Sequence, residues 1–193
     1  KGETPIDPSG LKGALRDTIK TRAELNVVEA ENIRKPTVKY LAGWPTRKMA
    51  PFDYSWLLRL HREMFCDVWE WAGQPRTVGL NMGVAWEQVQ PQLMALLKDL
   101  EQWQRHKTPL IEQAALLHHR AVWIHPFENG NGRWARMLAN IWLRLHKAPL
   151  VRWPDQSIEA TSPIRDEYLA TLRAADNGDV EPLFDLHRRY WEQ

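Results

Sequence analysis

The stretch His125-Pro-Phe-Glu-Asn-Gly-Asn-Gly-Arg-Trp-Ala-Arg136 decides the fold, because it places a glycine-rich loop between two helical patterns. A residue before proline avoids the helical region, so the helix before Pro126 is expected to end at about Ile124. Beyond the glycines, the spacing predicts a helix from about 131 to 146. Its apolar stripe contains Trp134, Met137, Leu138, Ile141, Trp142 and Leu145, and its opposite stripe contains Arg133, Arg136, Asn140 and Arg144.

The same stretch has the parts of an anion-binding site. Gly130 and Gly132 allow the backbone to approach a ligand closely, and the first N–H groups of the following helix attract negative charge. Arg133 and Arg136 lie one turn apart, so both guanidinium groups can reach one anion. His125 suits proton transfer near neutral pH. These residues indicate a site that binds a polyphosphate and deprotonates a hydroxyl; taken without the histidine, the loop would fit an ordinary junction.

The remaining patterns predict an all-α protein with one hairpin. Thr21 and Glu24 have capping-box spacing, and Pro36 is expected to end or kink the helix that follows them. The expected helices span 22–35, 54–71, 87–105, 109–124, 163–175 and 181–191. A short β-hairpin is expected around Gly79-Leu-Asn-Met-Gly83. Residues 1–20 are expected to form an irregular arm, and residues 21–193 a single domain.

Composition excludes several classes of protein. The formal net charge of the 193 residues is only +2, which gives no electrostatic argument for nucleic-acid binding. No apolar run is long enough for a membrane helix, and no signal peptide is visible. A single cysteine, Cys66, fits a reducing cytoplasm. Three histidines, His118, His119 and His125, have no carboxylate that would complete a metal site, so packing roles are favoured for the first two.

The stretch 125–136 resembles the signature His-x-Phe-x-(Asp/Glu)-Gly-Asn-(Gly/Lys)-Arg-x-x-Arg of the Fic/Doc family, with one mismatch at Asn129. Further segments are similar to the branch of this family called mobile mystery protein B: Thr4-Pro-Ile-Asp-Pro8, Thr21-Arg-Ala-Glu-Leu-Asn26, Val68-Trp-Glu-Trp-Ala-Gly73, Asn81-Met-Gly-Val84 and Ala174-Ala-Asp-Asn-Gly-Asp179. The resemblance covers nearly the whole chain. It implies a Fic fold, a helical bundle with a short β-hairpin flap, in a bacterial protein encoded beside a small helix-turn-helix partner.

The resemblance also implies an adenylyltransferase that moves AMP from ATP to a Ser, Thr or Tyr hydroxyl of a target protein. His125 would be the general base, and Phe127 would anchor the loop in the core. The nucleotide would be bound by Gly130, Asn131, Gly132, Arg133 and Arg136, with Asn131 near the α-phosphate and the arginines on the β- and γ-phosphates. The flap would hold the target segment by main-chain pairing through Gly79, Leu80, Asn81, Met82 and Gly83. Trp86, which follows the flap, is either a border of the target groove or a packing residue.

Asn129 stands where the family has a carboxylate that helps to hold Mg²⁺. An amide oxygen is a weaker, neutral ligand, so weakened use of Mg²⁺ is expected, with the ATP phosphates carrying the metal. Glu128 is an alternative ligand, or else a solvated glutamate. The mismatch leaves two other functions open: a Fic-type transferase for another phosphate compound, as in the Doc branch, and a degenerate fold that binds nucleotide without turnover.

Inhibition is a further expectation from the resemblance. Many Fic proteins carry an inhibitory helix with the pattern Ser/Thr-x-x-x-Glu-(Gly/Asn), whose glutamate pairs the second motif arginine. Glu31-Asn32 has this ending, although Val27 occupies the Ser/Thr place. Glu24 and Glu29 are further acidic candidates on the same helix, and a solvated helix face is the alternative for all three. An antitoxin-like partner protein would inhibit without leaving a mark in this chain.

Overall fold

The computed structural model describes residues 10–154 and 162–191, and in these residues the chain is helical. The helices are α1 (Leu15–Thr18), α2 (Arg22–Leu41), α3 (Tyr54–Phe65), α4 (Val89–Arg105), α5 (Leu110–Ile124), α6 (Asn131–Leu145), α7 (Pro163–Asp176) and α8 (Glu181–Tyr190). Two isolated β-bridges, Leu11 with Trp69 and Val151 with Trp191, are the β-structure in this part of the chain. No helix in the two described ranges is both long and apolar enough to cross a membrane.

Two predicted helix ends are wrong. Helix α2 begins at the expected capping box of Thr21 and Glu24, but it continues through the buried Pro36 to Leu41. Helix α3 ends at Phe65 instead of 71. The backbone beyond it pairs with the segment before α1, since the Lys12 amide donates to the Val68 carbonyl at 2.9 Å and the Glu70 amide to the Gly10 carbonyl at 3.0 Å. The chain after α3 forms turns and the isolated bridge of Trp69 with Leu11, where the helix was expected to continue.

The segment predicted as an irregular arm is only partly described, since residues 1–9 lie outside the described ranges. From Gly10 onward it packs against the domain. Leu11 is fully buried, and Ile19 is nearly so, in the same core as α3 and α6. The described half of the segment therefore contributes two buried side chains, Leu11 and Ile19, to the domain core.

The β-hairpin predicted around Gly79–Gly83 is not formed. Residues 74–85 contain no strand, and their polar backbone groups bond elsewhere. The Arg76 guanidinium donates hydrogen bonds to the carbonyls of Val78 and Val84, and the Val84 amide donates to the Ile124 carbonyl at 3.4 Å. Cross-strand pairing is replaced by bonds to one side chain and to the end of α5. We call residues 77–84 the flap segment.

Helix α6 is the centre of the molecule, buried along most of its length. It packs along α5, while α2 packs against both α3 and α6. One side of α6 faces the core that α3 and α4 share, through residues such as Trp134 and Leu138. The other side faces α7 and α8, through Ala139 and Leu143. A helix enclosed on both sides has to find partners for its polar residues as well.

The polar stripe of α6 is accordingly bonded to protein instead of to solvent. Asn140 exchanges two hydrogen bonds with the backbone of Val151, at 3.1 and 2.9 Å. Arg144 donates twice to the Leu41 carbonyl, at 3.2 and 3.1 Å. These bonds tie the end of α2 and the segment after α6 to the central helix, and they leave Arg133 and Arg136 at its N-terminal end.

A buried histidine network joins α5 to α7 and α8. His187 donates from Nδ1 to the Leu183 carbonyl at 2.8 Å, so its Nε2 accepts from His118 Nδ1 at 3.1 Å. The remaining nitrogen of His118 then accepts from the Tyr168 hydroxyl at 3.0 Å. Burial lowers the pKa of His187 to about 4 and holds the pKa of His118 well below its usual value. Both imidazoles are neutral in this network.

This network predicts loss of stability in mild acid. A histidine with a lowered folded-state pKa binds its proton more readily in the unfolded chain, so stability falls as the pH drops from about 6.5 towards 4, by about 1.4 kcal/mol per pH unit for each such group. Urea unfolding across this range should show a shallower pH slope for His187→Gln than for the natural chain. The exposed His106→Gln is the control, and an equal slope in all three proteins would contradict the account.

Candidate functional site

His125 ends α5 in a left-handed backbone conformation, with φ of 53° and ψ of 60°. This region is unfavourable for a residue with a side chain, by about 1–2 kcal/mol, so the surroundings must hold it there. The His125 amide donates to the Ala121 carbonyl at 3.2 Å, and the His125 carbonyl accepts from Arg76 Nε at 2.7 Å. Bonds on both sides of the residue therefore hold it in this conformation.

The imidazole of His125 is neutral at pH 7. Burial lowers its pKa to about 4; a hydrogen bond with the Val122 carbonyl opposes this shift and the nearby charge of Arg76 adds to it. A neutral imidazole can accept a proton, which the general-base role requires. The side chain is half-buried, so a substrate can still reach it.

Phe127 anchors the loop between α5 and α6 in the core, as expected. Its ring is fully buried, stacks on His61 with the ring centres 3.6 Å apart, and meets Trp134 edge-on. The buried amide side chain of Asn131 reaches back to the same residue. Its oxygen accepts from the Phe127 amide at 2.9 Å, and its nitrogen donates to the Phe127 carbonyl at 2.8 Å. Asn131 thus closes the loop with its side chain and can offer a ligand only its backbone N–H.

Gly130 and Asn129 form the turn that begins α6. Gly130 has φ of 77°, and a Cβ there would lie 2.5 Å from the Phe65 ring, so both conformation and packing exclude other residues. The Asn129 side-chain oxygen accepts from the Gly130 amide at 2.7 Å. Because Gly130 is the N-cap and has no side chain to accept hydrogen bonds, the first N–H groups of α6 are not capped by it. This end of α6 therefore offers an anion-binding backbone.

Arg133 and Arg136 stand at this end of α6, as predicted. The Arg136 side chain is buried and lies under Gly132, where its Nη1 is 3.5 Å from the place a Cβ would take. Arg133 is partly exposed, with its guanidinium over the Phe65 ring. Both line a groove between α2 and α6 of about 1120 Å³, together with Arg22, Arg34 and Arg152. Arg133 is paired with Glu29 and Arg34 with Glu31, so carboxylates already balance two of these five positive charges.

Glu29, and not Glu31, reaches a motif arginine. Its side chain is 0% exposed; one oxygen accepts from Arg133 Nη1 at 2.7 Å, and the other accepts from Trp69 Nε1 at 2.7 Å. The predicted candidate Glu31 is 63% exposed and pairs with Arg34 on its own helix, so in this structure Glu29 is the acidic residue of α2 that reaches Arg133. The contact is with the first motif arginine, whereas the family pattern predicted the second.

His61 and Arg76, for which the sequence predicted no role, support the loop from outside. His61 accepts the Gly73 amide on Nδ1 and so donates from Nε2 to the Asn129 carbonyl, both at 3.0 Å; burial lowers its pKa to about 3. Its place on the apolar face of α3, with Leu57 and Met64, was a signal that it has a buried partner. Arg76 follows a proline in an irregular segment, where no periodicity marks it.

The residues around Asn129 offer few ligands for a metal ion. Within the described ranges, no group of three or more His, Cys, Asp or Glu side chains could hold a metal ion. Asn129 offers one neutral oxygen that already accepts a hydrogen bond, and Glu128 is exposed. These donors do not fit a Mg²⁺ ion held by protein alone, since Mg²⁺ prefers carboxylate and phosphate oxygens.

Comparison with known proteins gives a consistent family. Residues 51–143 match the model of the Fic/DOC family. Protein adenylyltransferase fic-1 of Caenorhabditis elegans is 35% identical over 134 residues, which are 66% of this chain and 25% of that protein. Protein adenylyltransferase Fic of Nematostella vectensis is 39% identical over 85 residues, 43% of this chain and 18% of that protein. The chain thus spans about a quarter or less of the length of these relatives.

Solved structures share the fold. Fic-1 from C. elegans superposes with a TM-score of 0.71 at 26% identity, over 92% of this chain and 52% of that one. The BepC protein from Bartonella tribocorum, solved with bound AMPPNP, gives a TM-score of 0.68 at 22% identity, over 100% of this chain and 94% of that one. The helical arrangement around α5 and α6 is therefore that of Fic-domain structures.

The Glu29–Arg133 pair predicts competition with an anion. A polyphosphate that uses Arg133 has to displace the Glu29 carboxylate, and a neutral amide competes less strongly than a charged group. We expect Glu29→Gln to raise the affinity for inorganic tripolyphosphate about tenfold, equivalent to about 1.4 kcal/mol. Isothermal titration calorimetry measures this affinity. Glutamine keeps an acceptor for Trp69.

Glu101→Gln is the control, because it removes the same charge from an exposed position of α4. Its affinity for tripolyphosphate should stay within twofold of that of the natural chain. Equal gains in both variants would show that general electrostatics, and not the contact with Arg133, limits binding.

Proposed function

Because the chain belongs to the Fic/DOC family, we propose that it is a protein adenylyltransferase that transfers AMP from ATP to a hydroxyl side chain of another protein. The observation that carries the proposal is His125, a neutral imidazole next to an anion-binding helix end. The curated relatives named as protein adenylyltransferases support it.

In the proposed reaction the hydroxyl oxygen of the target attacks the α-phosphorus of ATP. A new P–O bond forms, the bond between the α-phosphorus and the pyrophosphate oxygen breaks, and the hydroxyl proton passes to the imidazole of His125. Pyrophosphate is the leaving group. We propose that the backbone N–H groups of Asn131 and Gly132, in the first turn of α6, stabilise the charge that develops on the phosphate oxygens.

Arg133 and Arg136 are proposed to bind the β- and γ-phosphates. Guanidinium groups match phosphate oxygens in bidentate geometry. Both arginines line the groove between α2 and α6, although His125 and the glycine loop are not part of its lining. The ion pair with Glu29 would have to open before Arg133 can take this role. Glu29 is therefore the residue of this chain that we propose as its internal inhibitor, in place of Glu31.

Mg²⁺ is proposed to arrive as part of the substrate, bound to the ATP phosphates. The protein would add the Asn129 amide oxygen at most, because its neighbours provide no cluster of carboxylates. This arrangement supports weakened use of the metal, with the phosphates as the main ligands.

The flap segment is proposed to hold the target protein. Residues 77–79 and 81–83 are exposed, and in the described ranges their backbone has no strand partner, which suits an extended peptide that adds main-chain bonds. Trp86 is 43% exposed beside this segment, and Val78 and Met82 are exposed on it. Such a surface recognises backbone and apolar side chains more than a particular sequence.

The biological setting is a further proposal. The resemblance to mobile mystery protein B supports a bacterial, cytoplasmic protein with a small antitoxin-like or helix-turn-helix partner, and a toxin-like role. The curated relatives are animal proteins, so this part of the proposal depends on the resemblance alone. Residues 21–193 are proposed as the Fic domain.

Labelled ATP tests the proposed activity against its two alternatives. Incubation with lysate and α-labelled ATP should place label on protein. Label from γ-labelled ATP alone would instead support Doc-like phosphate transfer, for which the missing carboxylate at Asn129 leaves room. Binding of ATP without label from either position would support a degenerate fold without turnover.

The first prediction on activity concerns His125. His125→Ala should lower the rate of AMP transfer about 10²–10⁴-fold, the usual scale for loss of a general base, and should keep the affinity for ATP. Single-turnover assays and calorimetry measure the two quantities. His119→Ala, six residues earlier on α5, is the control for loss of a histidine, and unchanged transfer in His125→Ala would remove the residue from the mechanism.

The second prediction concerns Asn129. An aspartate can accept the Gly130 amide as asparagine does, so Asn129→Asp should preserve the turn and add a charge next to the phosphates. We expect the Mg²⁺ concentration for half-maximal transfer to fall about tenfold, or about 1.4 kcal/mol. Glu128→Gln, which removes a neighbouring exposed carboxylate, should leave it unchanged. If Asn129→Asp needs the same Mg²⁺ concentration for half-maximal transfer as the natural chain, the account of weakened metal use is contradicted.

A further inference from the structure

Arg76 is a buried arginine that bonds to two separate segments of backbone. Only 2% of its surface is exposed. Its guanidinium donates from Nε to the His125 carbonyl at 2.7 Å, from Nη1 to the Val78 carbonyl at 3.0 Å, and from Nη2 to the Val84 carbonyl. Its own amide donates to the Pro126 carbonyl at 2.9 Å. One residue therefore bonds to both ends of the flap segment and to two consecutive carbonyls of the loop that carries His125.

The planar guanidinium is what makes this arrangement work. Its donors point outward in one plane and in fixed directions, so three carbonyls around one group can all be satisfied. A lysine ammonium carries charge, but it cannot reach three acceptors spread around a plane. Because the site is buried, each carbonyl left without a donor would lose stability, about 1–3 kcal/mol by typical values.

A second contact joins the flap segment to His125. Gly83 has φ of 87°, and a Cβ at this position would lie 2.5 Å from the His125 Cβ and 3.0 Å from Arg76 Nη2. The Val84 amide also bonds to Ile124, the residue before His125. The inner side of the flap segment thus rests on His125 and Arg76, whereas its outer side is exposed.

We propose that Arg76 is a positioning residue that fixes the flap segment relative to His125. The inference rests on the proposed function, in which the flap segment holds the target and His125 takes its proton. Arg76 touches neither substrate nor reacting atoms. It sets the distance between the target backbone and the base, and a misplacement of this distance slows transfer without weakening the binding of ATP.

The phosphate end of the site is held by bonds of its own. A change at Arg76 is therefore expected to affect target binding and transfer without affecting ATP binding. Asn131 closes the loop on Phe127, and His61 holds the Asn129 carbonyl. None of these bonds uses Arg76. Loss of its guanidinium should therefore affect target binding and proton transfer and leave the nucleotide end in place.

Arg76→Lys and Arg76→Gln test the proposal, with Arg144→Lys as the control. Arg144 is also a part-buried arginine that donates to a backbone carbonyl, that of Leu41, but it lies at the far end of α6. We expect both Arg76 variants to lower kcat about 10–100-fold and to raise the KM for the target, while the Kd for ATP stays within twofold. Arg144→Lys should change none of these three quantities.

Hydrogen exchange measures the same coupling without turnover. The Val84 amide should exchange at least tenfold faster in Arg76→Gln, while the Trp134 amide of α6 keeps its rate. If the natural chain transfers no AMP, the proposed function has failed, and exchange still decides whether Arg76 holds the flap segment. Unchanged kcat and KM, or unchanged exchange at Val84, would overturn the proposal, and so would a parallel loss of ATP binding.

Gly83→Ala covers the case in which neither Arg76 variant folds. Its added methyl group pushes the exposed flap segment away from His125 without removing a buried charge. The proposal predicts for this variant the same result as for the Arg76 variants: a lower kcat, a higher KM for the target and an unchanged affinity for ATP. An alanine variant with natural kinetics would overturn it.

Discussion

The structure depends on one requirement: the loop from His125 to Gly130 has to be fixed by groups other than the ones it offers to a ligand. A buried loop must satisfy its own polar backbone groups, or it loses stability for each one left over. Here the carbonyls of His125 and Pro126 accept hydrogen bonds from Arg76. The backbone amide and carbonyl of Phe127 bond to the Asn131 side chain, and the Asn129 carbonyl accepts from His61. These bonds do not use the first N–H groups of α6, which the N-cap Gly130 does not cap with a side chain either.

This requirement explains why the surrounding helices lie where they do. Helix α3 brings His61 under the loop and Phe65 against Gly130, where only a glycine fits. Helix α2 brings Glu29 to Arg133, and its far end at Leu41 receives Arg144. The central helix α6 is thus held along its length by polar contacts from α2 as well as by apolar packing. The site is a consequence of how α6 is enclosed.

The sequence predicted the helices and the motif well, because both depend on local spacing. It failed where the answer depends on a partner far along the chain. Glu29 and Arg133 are 104 residues apart, and Arg76 and His125 are 49 apart. Glu29 and Glu31 differ by two positions, which is about 200° around a helix, so one faces the core and the other faces solvent. The spacing of the family pattern pointed to Glu31. The side of α2 that faces Arg133 carries Glu29 instead. The prediction of a β-hairpin was wrong because Arg76 binds the Val78 and Val84 carbonyls, which cross-strand pairing would need.

The Glu29–Arg133 pair bears on function more than on stability. Burial of a carboxylate removes its hydration, and the attraction of one arginine often does little more than offset that loss. Trp69 supplies a second donor at 2.7 Å, so the carboxylate stays satisfied on one oxygen even when Arg133 turns away. The arginine, in contrast, is partly exposed and lies over the Phe65 ring. Glu29 is thus fixed in the core, whereas Arg133 is more accessible. An incoming phosphate can therefore bind Arg133 while the core around Glu29 stays intact.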